Sequence, residues 1–424
     1  MILVLASAFA NEPVRLDAGG HLKTFLVATA PYEHLYLASP DCENLLDWED
    51  CVQASGQGLG DVRLWGELRT DRVTVKAHHA TTLLAPGAQV SALGNTGVGL
   101  MAPELVKLSW DAVDDPGLAV RGRADRLSVG LSVPHLDLTV GRQPVTFGRA
   151  LFFTPLDLVN PFNPTVIDQE YKPGIDALRA DGYWGLAGQA TLVAAWAGQP
   201  VLTWEDDPAD FDLADAVVAG YAQQTVGVWD LGLFAGLVRE DRVAGLSISG
   251  GIRAVAVHAE ATGTLPEDAD EDPFVRAVVG AMAFPGSGRL VLSGEAYVQT
   301  NGATDPADYL DQYVGDRYAT GELWLAGRSY VAASAAYEIH PLLNGNLAVI
   351  ANVEDPSALL APSLVWNVSD EVTASASGFV GLGQRPDAVE PLDLLEPDFD
   401  AGAPVNSEFG LVPRALFVSM AAYR

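Results

Sequence analysis

The feature that most constrains this chain is a repeated alternation. Segments of about ten residues carry an apolar side chain at every second position, the length that crosses a bilayer as a tilted strand with one face to lipid and one to a lumen. Asp61 to Arg69 shows it well: Val62, Leu64, Gly66 and Leu68 share one face, and Asp61, Arg63, Trp65, Glu67 and Arg69 the other. The chain then reverses at Thr70-Asp71, placing Val73, Val75 and Ala77 outward and Arg72, Thr74, Lys76 and His78 inward. The pattern recurs at Leu127/Val129/Leu131, Leu231/Leu233/Ala235, Val255/Val257/Ala259, Leu290/Leu292/Gly294, Leu347/Val349/Ala351 and Val372/Ala374/Ala376.

Continued along the chain, this reading gives about 18 strands, an even number that returns both termini to one side of a membrane. Short turns fall near 70, 134, 185, 227, 252, 286, 341 and 369, and mostly longer segments near 29, 85, 146, 198, 264, 301 and 384. That asymmetry is the one expected of short periplasmic turns and long extracellular loops. The expected fold class is all-β: a transmembrane antiparallel β-barrel forming one domain over 11–424.

Composition removes the alternatives. Of 424 residues 49% are hydrophobic, yet nowhere do they form the run of about 18 that a spanning helix needs. A soluble β-sandwich would also give short alternating strands, but its outward faces should be polar, and here they are Ala, Val and Leu. The net charge of -31 argues against nucleic acid, whose phosphates it would repel. The charge is also segregated. Segments 29–57, 198–212, 264–272, 301–322 and 384–408 hold 28 acids and two bases, so one rim carries nearly all of the excess.

The start, MILVLASAFA, ends in the small-x-small Ala8-Phe9-Ala10 and reads as the remnant of an export signal over 1–10. Cys42 and Cys51 lie in the first acidic segment; in an exported chain that spacing reads as a loop-closing disulfide, and without a histidine cluster it lacks the ligands of structural zinc. Trp184, Trp229 and Trp366 sit beside expected periplasmic turns, as an aromatic girdle would, and Trp196 marks the opposite rim. The final Leu416 to Arg424 segment resembles the closing strand of outer-membrane barrels, although those usually end on the aromatic itself, here Tyr423.

From Gly141 to Arg179 the chain reads GRQPVTFGRALFFTPLDLVNPFNPTVIDQEYKPGIDALR. Its Gly-Arg-Gln strand end and the Asp157-Leu-Val-Asn160-Pro161 stretch resemble large outer-membrane porin-like families, including the alginate-export type. The resemblance implies a barrel in the cell outer membrane, in contact with lipid and lipopolysaccharide, and supports location better than solute. Physically, Leu151, Phe152, Phe153, Leu156, Leu158, Val159, Phe162 and Val166 make this loop too apolar to stand in water. The barrel interior is the nearest surface to cover them, so 146–173 is expected to fold inward and narrow the pore. An outer loop packed on its neighbours is the competing reading.

Strand parity puts Arg63, Arg69, Lys76 and Arg126 on the lumen wall; Arg142 and Arg149 lead into the loop, and Asp157, Asp168 and Glu170 lie within it. Opposed bases and acids would set a transverse field at a constriction, or else neutralise one another as lumen salt bridges. The expected function is a channel for passive diffusion of small polar or charged solutes. A structural or adhesive barrel, or a selective carrier of a polysaccharide or hydrophobic compound, is the alternative, and a homo-oligomer is compatible with either. Acidic runs such as Glu205-Asp206-Asp207 and Glu267 to Asp272 offer the oxygens that divalent cations prefer, without EF-hand spacing. No enzyme is expected. His258, Glu260 and Glu295 share a lumen region, and His78 and His79 point to opposite faces, but neither set makes a convincing dyad. The sequence calls for no cofactor and no resident metal.

Overall fold

The computed structural model describes residues 14–30, 55–85, 103–115, 117–161, 170–203, 209–386 and 405–424. The signal-like start, Cys42, Cys51, Phe162, Val166, Asp168 and Glu205 to Asp207 lie outside the described residues. The strands begin with β1 (Arg15–Ala30), β2 (Ser55–Arg69), β3 (Val73–Leu84), β4 (Ser109–Asp115), β5 (Leu118–Val133), β6 (Leu136–Gln143) and β7 (Ile175–Trp184). They continue with β8 (Gly188–Trp196), β9 (Ala216–Val226), β10 (Trp229–Val238), β11 (Asp241–Ile252), β12 (Val255–Leu265) and β13 (Phe274–Ala283). The last six are β14 (Leu290–Gln299), β15 (Ser329–His340), β16 (Leu343–Asn352), β17 (Ser357–Asn367), β18 (Val372–Leu382) and β19 (Arg414–Tyr423).

Every pairing in the sheet is antiparallel, β3 pairs directly with β5, and β19 returns to β1, so 18 strands close into a barrel. Closure leaves no unpaired edge, which is what a strand structure in lipid requires. At the seam His21 faces Tyr423 and Ala30 faces Arg414, and the backbone of Arg424 extends the ladder to Gly20. The expected short turns are where the chain reverses, and the start of β1 and the end of β19 lie at their rim. Two connections on the opposite rim are also short. One is Arg239-Glu240, whose φ values of 48° and 71° give the left-handed geometry of a tight hairpin, and the other is 353–356.

Residue parity is preserved around the ring. Leu26, Leu64, Leu192, Leu233, Val279 and Leu416 stand outward and exposed, while their strand neighbours Phe25, Arg63, Val193, Phe234, Val278 and Phe417 are buried inside. Such an apolar belt would be unsustainable in water and is the natural outer surface in lipid. Trp184 and Trp366 stand exposed at the short-turn rim, whereas Trp196 at the other rim is covered by Phe211, stacked at 4.9 Å.

The eighteen-strand wall has one patch. β6 stops at Gln143, where the chain leaves the wall, and above it β4 pairs with the outer half of β5, Ser109 opposite Arg123. The gap is sealed by a buried network. Arg142, fully covered, binds Asp176 at 2.8 Å, Glu104 at 3.1 Å and the carbonyl of Val106 at 2.7 Å.

Candidate functional site: the loop inside the barrel

Between β6 and β7 the described parts of 144–174 touch walls on opposite sides of the ring, which only a segment inside the barrel can do. The outgoing limb buries Val145, Phe147, Leu156, Leu158 and Val159 against Val193, Val217, Phe234 and Val243 on β8 to β11. These lumen positions are apolar because the loop covers them. Further on, Phe153 lies parallel to Tyr297 at 4.7 Å and to Trp324 at 5.8 Å, within a second apolar cluster that includes Tyr330, Ile350, Leu359 and Phe409.

Two wall carboxylates hold the backbone of this limb. Glu260 accepts the N–H groups of Arg149 and, at 3.1 Å, Ala150; Glu295 accepts those of Leu151 at 2.5 Å and of Phe152 and Phe153 at 3.0 Å. His258 binds the same Glu295 at 2.8 Å. Five successive amides are thereby satisfied where no strand partner exists, each by a charge-assisted bond. Gly148 makes the turn possible, since its φ is +87° and a Cβ there would stand 2.6 Å from a Glu260 oxygen.

The return limb docks on the other side. Glu170 bridges Lys23 on β1, at 2.5 Å, and the hydroxyl of Tyr423 on β19, at 2.9 Å, so it straddles the closing seam. Tyr171 lies 4.3 Å from the Arg63 guanidinium and 5.3 Å from the His21 ring. Lys172 turns back to the outgoing limb and clamps Asp157 at 2.6 and 2.7 Å. Burial pushes the Asp157 carboxyl up to about 6 against the pull of that ammonium, and lowers the Lys172 ammonium.

Beneath this limb β5 carries a bulge where His78 and His79 meet Arg126 and Ala124, leaving Asp125 as the extra residue. The bulge turns Asp125 into the same buried layer as its neighbour. It binds Arg63 at 2.5 Å, Arg126 at 2.7 Å and the backbone of Gly174 at 3.2 Å, while Arg123 donates to the Gly174 carbonyl at 2.9 Å.

The residues singled out from sequence therefore divide. Arg63 and Arg126 point inward but are 7% and 8% exposed, covered by Tyr171 and Lys172. Arg69 and Lys76 remain partly open and share Glu67, which Arg69 binds through Nε at 2.9 Å and Lys76 at 3.4 Å. Arg149 reaches Asp230 at 2.6 Å and Gln223 at 3.0 Å. Phe153 is buried, and Phe152 only half so. His258, Glu260 and Glu295 are occupied in holding the loop, and His79 faces outward, stacked on Trp110 at 5.1 Å. Sequence reasoning missed Lys23, Asp125, Tyr171 and Lys172; only a bulge and a loop path, neither encoded in strand parity, bring them together.

The outer segments are tied by their own ion pairs. Arg317 binds Asp241 and Glu271 at 2.7 Å and Glu322 at 2.8 Å, so part of the acidic run at 267–272 is committed to an internal arginine. Glu408 is buried with Asn352 at 2.7 Å and the Tyr313 hydroxyl at 3.2 Å, and burial raises its carboxyl above the usual range. Among the described residues no cluster of three or more His, Cys, Asp and Glu is arranged to hold a metal ion.

A closed barrel of this strand number, apolar outside and carrying a loop within, has the fold of the outer-membrane porins. The solved structures it is similar to include OpdK of Pseudomonas aeruginosa, with TM-score 0.54 and 10% identity, covering 96% of this chain and 98% of that one. OccK8 (OprE) of the same organism gives TM-score 0.55 at 8% identity, over 96% and 98% of the two chains. OccAB3 of Acinetobacter baumannii gives 0.53 at 8%, over 96% and 99%. At such identities the likeness establishes the fold alone. No family model matches the sequence, and no curated protein does.

Proposed function

We propose that this protein is an outer-membrane channel for the passive diffusion of small polar or charged solutes, with the 146–173 loop as its constriction. The observation that carries the reading is a single loop anchored on opposite walls of a closed barrel whose outer face is apolar. Solutes would enter through the acidic outer segments, which enrich cations at the mouth, and then pass the loop. Arg63 and Arg126 then act mainly by holding the return limb, with Arg69 and Lys76 lining the path beyond it. A similar barrel, OpdK, has been solved with vanillate (TM-score 0.52, 10% identity), so a fold of this kind accommodates a small organic solute. No catalysis is assigned: Glu260 and Glu295 are engaged with the loop backbone, and His258 is bound to Glu295. The test is single-channel conductance of the purified protein in a planar bilayer. Discrete conductance steps are expected, and a silent bilayer would favour a structural or adhesive barrel instead.

A further inference from the structure

The lumen wall is chemically two-sided. From β1 to β14 the wall carries charged residues, many of them paired: Arg179 with Asp181 at 2.8 Å, Arg149 with Asp230 at 2.6 Å, Asp125 between Arg63 and Arg126, and Glu67 between Arg69 and Lys76. From β15 to β19 parity gives a different wall. Among the described residues, no lumen-facing position of these five strands carries a formal charge until the periplasmic turn, where Glu338 and His340 stand.

In their place is a hydroxyl and amide surface. Ser334 lies 2.7 Å from Ser293 on β14, Ser375 lies 2.6 Å from Ser419, Ser363 faces Ser377 across the ladder, and Asn346 adjoins Ser363. These side chains remain partly exposed, whereas the outer-half lumen positions of β8 to β11, such as Val193, Val217 and Val243, are sealed under the loop. The described limbs of the loop are anchored by hydrogen bonds and ion pairs on β1, β5, β9 to β12, β14 and β19, and meet β15 to β17 at the outer end, through the cluster around Phe153. The periplasmic half of this sector is therefore wall that the described limbs of the loop leave open.

We infer that the passage favours uncharged, hydroxyl-bearing solutes over charged solutes of the same size, an inference that rests on the channel reading above. The physical reason is compensation. Hydroxyls and amides both donate and accept, so they replace the water stripped from a neutral polyol. A charged solute loses more hydration on the same wall, and many of the charges elsewhere on the wall that could restore it are engaged with their own neighbours.

The experiment uses the full chain in liposomes and planar bilayers. Conductance in KCl is measured first, and then liposome swelling with sorbitol, gluconate and glucosamine, which are similar in size and differ in charge. Sorbitol should enter several-fold faster than either charged probe. The paired substitution S363D and S377D places uncompensated carboxylates on the open wall, and should raise the cation-to-anion permeability ratio in KCl and slow gluconate further. Heat-modifiable migration in electrophoresis checks that this variant is folded; Ser377→Asp alone serves if the pair does not fold. KCl conductance with gluconate or glucosamine matching sorbitol, or with ion selectivity unchanged in the aspartate variants, overturns the inference and leaves the channel standing. No KCl conductance overturns the channel reading and the inference with it.

Discussion

At the scale of single residues, the loop is held by groups whose protonation can be predicted. Asp157 has its carboxyl raised to about 6 by burial, above an unfolded value of about 3.9. The folded state therefore binds this proton more tightly. The associated stability is fully present below pH about 4 and is lost as pH rises through about 6, an effect on the order of 3 kcal/mol. Thermal midpoints of the detergent-solubilised protein, compared with those of Asp157→Asn, should show the parent losing ground to the variant over that window; parallel curves would rule the assignment out. Glu295 is a stronger test of the anchoring. Glu295→Gln leaves one oxygen for three amides and brings an N–H group among donors, at a cost of about 1.5–3 kcal/mol for each charge-assisted bond weakened. Open-channel current noise should rise, because the limb it secures becomes free to move.

At the scale of elements, the loop is an apolar strip laid on an apolar wall, and its two adjacent phenylalanines are unequal. Phe153 is 1% exposed among Tyr297, Trp324 and Tyr330, so Phe153→Ser removes a core contact worth about 3–5 kcal/mol. Phe152 is only packed at the edge of that cluster. Single-channel conductance should increase clearly in Phe153→Ser and less in Phe152→Ser. Equal effects would mean that the stacked cluster does not set the loop's position. The bulge in β5 belongs to this scale too: one extra residue turns an alternating strand into a platform on which Arg123, Asp125 and Arg126 all reach the return limb.

At the scale of the molecule, charge and chemistry are layered along the barrel, with excess acid at one rim and paired charges within. The outer acids act through salt solution, so their field fades over about 8 Å at physiological ionic strength. Deleting 267–272 should reduce cation preference at low salt and have little effect at high salt, as read from reversal potentials. Deletion also frees Arg317 from Glu271, although Asp241 and Glu322 still hold it, so the outer segments should keep their arrangement.

How much of this was written in the sequence follows from which interactions are local. Period-two alternation, turn spacing and loop acidity are properties of neighbouring residues, and they were enough to give the barrel, its strand number, the positions of its short turns and the inward parity of Arg63, Lys76 and Arg126. The apolar run at 151–159 likewise announced a segment that needed cover. Which wall would cover it was a tertiary decision. It depended on an apolar lumen sector contributed by β8 to β11, on Glu260 and Glu295 meeting amides more than a hundred positions away, and on Glu170 reaching both β1 and β19 at the closing seam. Parity assigns a side chain to a face but not to a partner. Lumen arginines that read as open wall from the sequence are thus found covered, because the loop that covers them is placed by contacts no local pattern contains.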